Sequence, residues 1–139
     1  MNQDLEKLIA EALTNKSLLV VEDTSSSRML VAGLLRGLGA TRVVAAVDGV
    51  DALAKIQAQH LVPDVVLCDW VMPNMDGLEL LTRLKADYPA VKFIMMTVKT
   101  EAEAVILARK HGVDGYVAKP FSRESITAAL AKVLGIAVG

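Results

Sequence analysis

The sequence predicts a doubly wound α/β domain, and two observations carry that expectation. Five short apolar runs, at residues 18–21, 43–47, 65–68, 93–96 and 113–117, alternate with helical patterns. The runs are nearly continuous and rich in Val and Leu, as suits parallel strands covered on both faces. Strand and helix alternating five times implies a parallel sheet with right-handed crossovers. In such sheets the ligand crevice lies beyond the carboxyl ends of the strands, where strand order reverses.

Residues 1–15 precede this pattern. Leu5, Leu8, Ile9, Ala12 and Leu13 form an apolar stripe, so an additional amphipathic helix is expected, with the main domain at 16–139. The stripe suits packing on its own domain or a dimer or partner contact. After the first run, Leu30, Leu34 and Leu38 recur at four-residue steps, and Gly39 marks a helix end. After the third run, Asp76 with Glu79 suggests a helix start. Thr100 with Glu103 reads as a capping box after the fourth, and Gly112 ends that helix. Ser122 is placed to cap the last helix, whose buried face is Ile126, Ala129, Leu130, Val133 and Leu134.

Bulk properties narrow the function. A chain of 139 residues suits one domain with a proper core. A net charge of −1 offers no basic surface for nucleic acid, and 4% aromatics make base stacking a poor candidate activity. No apolar run approaches a membrane span, and the N-terminus lacks the order of a secretion signal. The single cysteine, Cys68, lies inside an apolar run and reads as a core residue in a reduced, cytoplasmic setting.

Chemistry gathers at the ends of four runs. Glu22-Asp23 follow the first, Asp69 ends the third, Thr97 follows the fourth and Lys119 the fifth. Three crowded carboxylates repel one another unless a cation joins them, and Mg²⁺ takes such oxygen ligands while keeping water. A carboxylate nucleophile, an ammonium and a hydroxyl complete what phosphoryl transfer needs. Asp69 is the candidate nucleophile, and Lys119 and Thr97 are candidate partners of the phosphoryl oxygens. The Lys119-Pro120 bond is a realistic place for a cis peptide. Singly each motif is weak, because a lone acid after a strand is usually a cap. Trp70 is expected to line the site mouth. His60 and His111 stand near helix ends without metal-ligand spacing.

These residues resemble the receiver domains of bacterial two-component response regulators, closest to the single-domain chemotaxis type. The motifs are D-W-V-M-P-N-M-D-G-L-E-L-L at 69–81 and G-Y-V-A-K-P-F at 115–121, within a likeness running from about Ser17 to Leu134. The resemblance implies a flavodoxin-like five-stranded sheet in the order 2-1-3-4-5. It implies that Asp69 accepts a phosphoryl group from a sensor histidine kinase. Glu22, Asp23, Asp69 and the backbone carbonyl of Val71 would hold Mg²⁺. Thr97 and Lys119 would be the switch hydroxyl and lysine, and Tyr116 the aromatic that turns with them.

The output would be a separate protein, such as a flagellar motor component or a phosphotransfer protein, since only residues 135–139 follow the last helix. No direct DNA binding, membrane insertion or enzymatic role is expected, and dimerisation through residues 1–15 stays open. The chain could also serve as a phosphate sink or phosphorelay intermediate. An aspartyl-phosphate hydrolase would want a second Asp at position 71, where Val stands. A flavin site fares poorly because Glu22-Asp23 would repel phosphate beside 24–27. Val98 stands where the family usually carries Ala or Gly, which predicts slow phosphorylation by small donors and slow hydrolysis.

Overall fold

The computed structural model describes residues 2–136. Five strands, β1 (Ser17–Val21), β2 (Arg42–Ala46), β3 (Val65–Asp69), β4 (Lys92–Thr97) and β5 (Gly115–Ala118), form one sheet. All pairings are parallel and the order is β2-β1-β3-β4-β5. The helices are α1 (Asn2–Leu13), α2 (Ser25–Gly37), α3 (Gly49–Gln59), α4 (Gly77–Asp87), α5 (Ala102–Lys110) and α6 (Arg123–Val133).

Side chains alternate across the sheet, so each strand feeds two cores. Leu18, Val20, Val65, Leu67, Ile94, Met96 and Val117 face α1, α2 and α6. Leu19, Val21, Val66, Cys68, Phe93 and Met95 face α3, α4 and α5. That double burial explains why the runs read as continuous, not alternating. Each fully buried aliphatic side chain contributes about 1.5–3 kcal/mol of transfer free energy.

α1 belongs to the first core. Ile9 and Leu13 are fully buried, and Leu5 packs against the same cluster. The Arg123 guanidinium donates two hydrogen bonds to Glu6, at 3.2 and 2.7 Å, and so ties α1 to α6. Gly39, at φ +113°, permits a close approach, since a Cβ there would lie 2.6 Å from the Ala10 Cβ. Leu8, expected on the buried stripe, is 46% exposed.

Other local expectations meet mixed outcomes. Asp76 caps α4 by accepting from the Glu79 N–H at 2.9 Å. Ser122 caps α6 in a box closed by Ser125. Gly112 takes a left-handed conformation after α5, and Val113 then bonds back to Ala108, so β5 begins two residues later than the fifth run. The second run likewise overshoots by one residue, because Val47 N–H turns to the Asp51 carboxylate. Thr100 is not a cap: α5 starts after Glu101, with no side-chain cap bond. On α2 the buried face is Val31, Ala32 and Leu35, continuing to Leu38, while Leu30 is 60% exposed. Strict four-residue steps drift off a 3.6-residue helix, which takes Leu30 out of the stripe.

Candidate functional site

Strand order reverses between β1 and β3, and sheet register places the acids there. Val21 pairs with Cys68, so Glu22 and Asp69 are neighbours one step further along. Asp69 pairs with Met96 and Thr97 with Ala118, so Thr97 and then Lys119 follow in a staggered row. The Lys119 N–H continues that ladder to the Thr97 carbonyl at 2.9 Å. The Lys119-Pro120 peptide is cis.

One carboxylate oxygen each from Glu22, Asp23 and Asp69 lies within 4.8 Å of the other two. Lys119 Nζ sits 3.1 Å from Glu22 Oε1 and 3.2 Å from Asp69 Oδ2. Asp69 Oδ1 accepts from the Trp70 N–H at 2.7 Å, which fixes the carboxylate and leaves Oδ2 on the lysine side. Glu22 is 1% exposed, and its Oε2 is buried with no hydrogen-bond partner among the described residues. Burial raises the Glu22 carboxyl above its ordinary range, against the lowering effect of Lys119. Burial also opposes the charge on Lys119, but the bond and charge of Glu22 and the charge of Asp69 outweigh it and hold the ammonium above the ordinary lysine value. The two shifts have different causes: burial dominates at the glutamate, whereas two carboxylate partners outweigh burial at the lysine.

A buried carboxylate oxygen without a partner is costly. Its presence beside two further carboxylates fits a hard divalent ion of the Mg²⁺ type, which accepts such oxygens and brings water to satisfy the rest. Glu22, Asp23 and Asp69 are therefore the side chains able to hold one.

Thr97 is fully buried, and its Oγ1 accepts from the Lys99 N–H at 3.2 Å. Tyr116 is half-buried, and its hydroxyl donates to the Lys99 carbonyl. Burial, then the charge of Glu101, raises its phenol above the ordinary value. Val71 and Val98 are 59% and 69% exposed. Trp70 is more enclosed than a mouth position would be: it is 6% exposed, packs in the second core and has Lys99 Nζ 5.4 Å from its ring centre. Cys68 is fully buried, and burial pushes its thiol well above the usual range, as befits a core residue. His60 and His111 are the residues that end α3 and α5.

Sequence reasoning missed several supports. Gly77 lets the loop after β3 fold back, because a Cβ there would come 2.3 Å from the Asp69 carbonyl oxygen. The Asp-Gly pair at 76–77 was its signal. Arg28 donates to the Glu22 carbonyl at 2.9 Å and had none. Asn74 donates from Nδ2 to Asp48 Oδ2 at 2.7 Å across 26 residues, a link no local pattern shows.

Comparison with known proteins agrees with the fold. Residues 18–131 match the response regulator receiver domain family. The chain is 36% identical over 127 residues to chemotaxis protein CheY-3 of Vibrio cholerae, covering 88% of this chain and 96% of that one. It is 38% identical over 120 residues to chemotaxis protein CheY1 of Helicobacter pylori, covering 85% and 96%. The crystal structure of Vibrio cholerae CheY4 superposes with a TM-score of 0.78 at 32% identity, covering 85% of this chain and 98% of that one. The chain belongs to the response regulator receiver domain family, whose members are phosphorylated on an aspartate.

Proposed function

We propose that this chain is a phosphorylation-driven switch in which Asp69 is the phosphoacceptor, residues 16–139 form the receiver and residues 1–15 a helical extension of it. The convergence of Glu22, Asp23, Asp69 and Lys119, with Glu22 Oε2 left without a partner, is the observation that carries the reading. The donor is the phosphoimidazole of a sensor histidine kinase. An Asp69 oxygen attacks phosphorus, the P–N bond breaks, and the imidazole nitrogen keeps the electron pair. Asp69 arrives oriented by the Trp70 N–H. Lys119 stands beside the attacking carboxylate and pairs with an equatorial oxygen of the transferring group. Thr97 supplies a hydroxyl hydrogen, its oxygen being already fixed by the Lys99 N–H. Mg²⁺, held by Glu22, Asp23, Asp69 and the Val71 carbonyl, supplies charge neutralisation when bound.

Readout runs through the segment 97–99 to Tyr116. The partner surface is the α5–β5 side, where Ile106 and Leu107 are 52% and 40% exposed. The partner is a separate target protein, and likeness to chemotaxis proteins makes motor control the leading candidate over a sink or relay role. No helix among the described residues is long and apolar enough to cross a membrane.

Incubation with acetyl phosphate or phosphoramidate and Mg²⁺, followed by intact mass, tests the reading. One phosphoryl addition in the wild type and none in Asp69→Asn is expected. Addition in the variant, or none in the wild type with either donor, rules it out. Pull-down with and without beryllofluoride then identifies the partner.

A further inference from the structure

The loop between β3 and α4 carries Val71, whose carbonyl the proposed function counts among the cation ligands, and something must hold that loop in place. Two contacts do so from α3. Asn74 is in the left-handed region at φ 68°, a conformation that Asn tolerates better than most residues. Its Nδ2 donates to Asp48 Oδ2 at 2.7 Å. Asp48 is 7% exposed, and its other oxygen accepts from the Asp51 N–H at 2.8 Å to cap α3. One residue further, Met75 is buried against Gly49, the first residue of α3: a Cβ on Gly49 would come within 2.8–2.9 Å of three Met75 side-chain atoms. The loop is thus pinned at its middle to α3, as it is pinned at its end by Gly77 against Asp69. Among the described residues, none of these side chains hydrogen-bonds Glu22, Asp23 or Asp69.

We propose that Asn74 is a positioning residue for the cation site: by bonding Asp48 at the start of α3, its amide fixes the loop whose Val71 carbonyl is the fourth oxygen ligand. This rests on the Mg²⁺ site of the proposed function. The physical reason is preorganisation. A backbone carbonyl on an exposed loop binds a cation well only if the loop need not be ordered on binding. Val71 is itself exposed, so its side chain contributes little to that order. The order comes from both sides of it, through the Trp70 carbonyl bonded to the Gly77 N–H at 2.8 Å and through Asn74 on Asp48.

The test is Asn74→Gly, which keeps the left-handed backbone accessible and removes only the amide. Mg²⁺ is titrated while Trp70 fluorescence is followed, with calorimetry as a second measure. Thermal melts without Mg²⁺ are run alongside. The variant is expected to bind Mg²⁺ about fivefold more weakly, on the order of one hydrogen bond to a charged group after partial relaxation. Asp48→Ser retains a cap but offers no carboxylate to Asn74. Adding Asn74→Gly to Asp48→Ser should weaken Mg²⁺ binding no further. A melting temperature lowered in Asn74→Gly with an unchanged Mg²⁺ affinity overturns the proposal, because a merely structural residue gives that result. Equal further weakening in the Asp48→Ser background also overturns it. Absence of Mg²⁺ binding by the wild type removes the site itself, and the positioning role with it, so the two failures are told apart.

Discussion

Replacing Lys119 by Met removes one ammonium while keeping most of the apolar stem. Its Nζ lies 3.1 and 3.2 Å from the oxygens of Glu22 and Asp69. At an effective dielectric near 20, each attraction is about 5 kcal/mol. The three carboxylates present oxygens within 4.8 Å of one another. On the same scale each mutual repulsion is at least about 3.5 kcal/mol. Attraction and repulsion therefore nearly offset in the wild type, and the variant keeps only the repulsion. Proton uptake limits the damage, since Glu22 already sits above its ordinary range. Allowing for the 19% exposure of Lys119, the net loss should be about 2–3 kcal/mol, at the lower edge of what breaking a buried pair costs. That corresponds to a melting temperature lower by about 10 °C without Mg²⁺.

The diagnostic part is the response to the ion. In Lys119→Met, Mg²⁺ relieves repulsion that no ammonium now offsets, and no lysine competes for the oxygens. Addition of about 10 mM Mg²⁺ should thus raise the melting temperature of the variant more than that of the wild type. Differential scanning fluorimetry of both proteins with and without Mg²⁺ decides it. Equal Mg²⁺-induced shifts, or an unaltered melting point without the ion, would refute the reasoning, because the lysine would then not be neutralising these carboxylates.

Val98→Ala should phosphorylate faster with acetyl phosphate and hydrolyse faster than the wild type, since the 69% exposed Val98 flanks the expected phosphoryl entrance; equal rates by mass spectrometry end that idea. Ile9→Ala should cost about 2–5 kcal/mol in urea melts, because Ile9 is fully buried; Leu8→Ala, at an exposed position of the same helix, should cost little. Asp48 is held below the ordinary carboxylate value by the Asp51 N–H and then the Asn74 amide. Its folded pKa is depressed, so its stabilisation is present above the unfolded value of 3.8 and is lost as pH falls through the folded one. Asp48→Ala should therefore be less stable than wild type at neutral pH, and the gap should narrow as pH falls below 3.8; a gap that does not narrow contradicts the assignment.

What the sequence made legible was whatever the sheet itself determines. Five apolar runs gave five strands, and the polar residue ending each run inherited its place from register, as with Glu22 beside Asp69. Errors came where a single residue tips a local balance. Leu30 was placed inside by a four-residue rhythm that a 3.6-residue helix does not keep. Thr100 had the capping letters, yet α5 begins one residue later, after Glu101. Trp70 was placed at a mouth, whereas the second core encloses it. The Asn74–Asp48 and Arg28–Glu22 bonds were invisible for another reason: each joins a side chain to a group that only the tertiary fold brings near.

Before any phosphoryl group arrives, the carboxyl edge of the sheet is incompletely satisfied. One buried oxygen of Glu22 has no partner among the described residues, and one lysine is shared between two acids. A buried polar network in that condition is costly as it stands and gains from a new partner. Under the proposed reading, transfer to Asp69 replaces a carboxylate by a bulkier and more negative group, and Lys119 must redistribute toward it. The Lys119 backbone is tied to the same strand end, its N–H on the Thr97 carbonyl, and the Lys99 N–H holds the Thr97 hydroxyl. The Lys99 carbonyl in turn holds Tyr116. Three consecutive residues, 97–99, thus carry the hydroxyl, the entrance side chain and the acceptor of the tyrosine. Under the proposed reading, a displacement at the first would be felt at the third through two peptide units, and that short path is what would carry one added phosphoryl group to the α5–β5 surface.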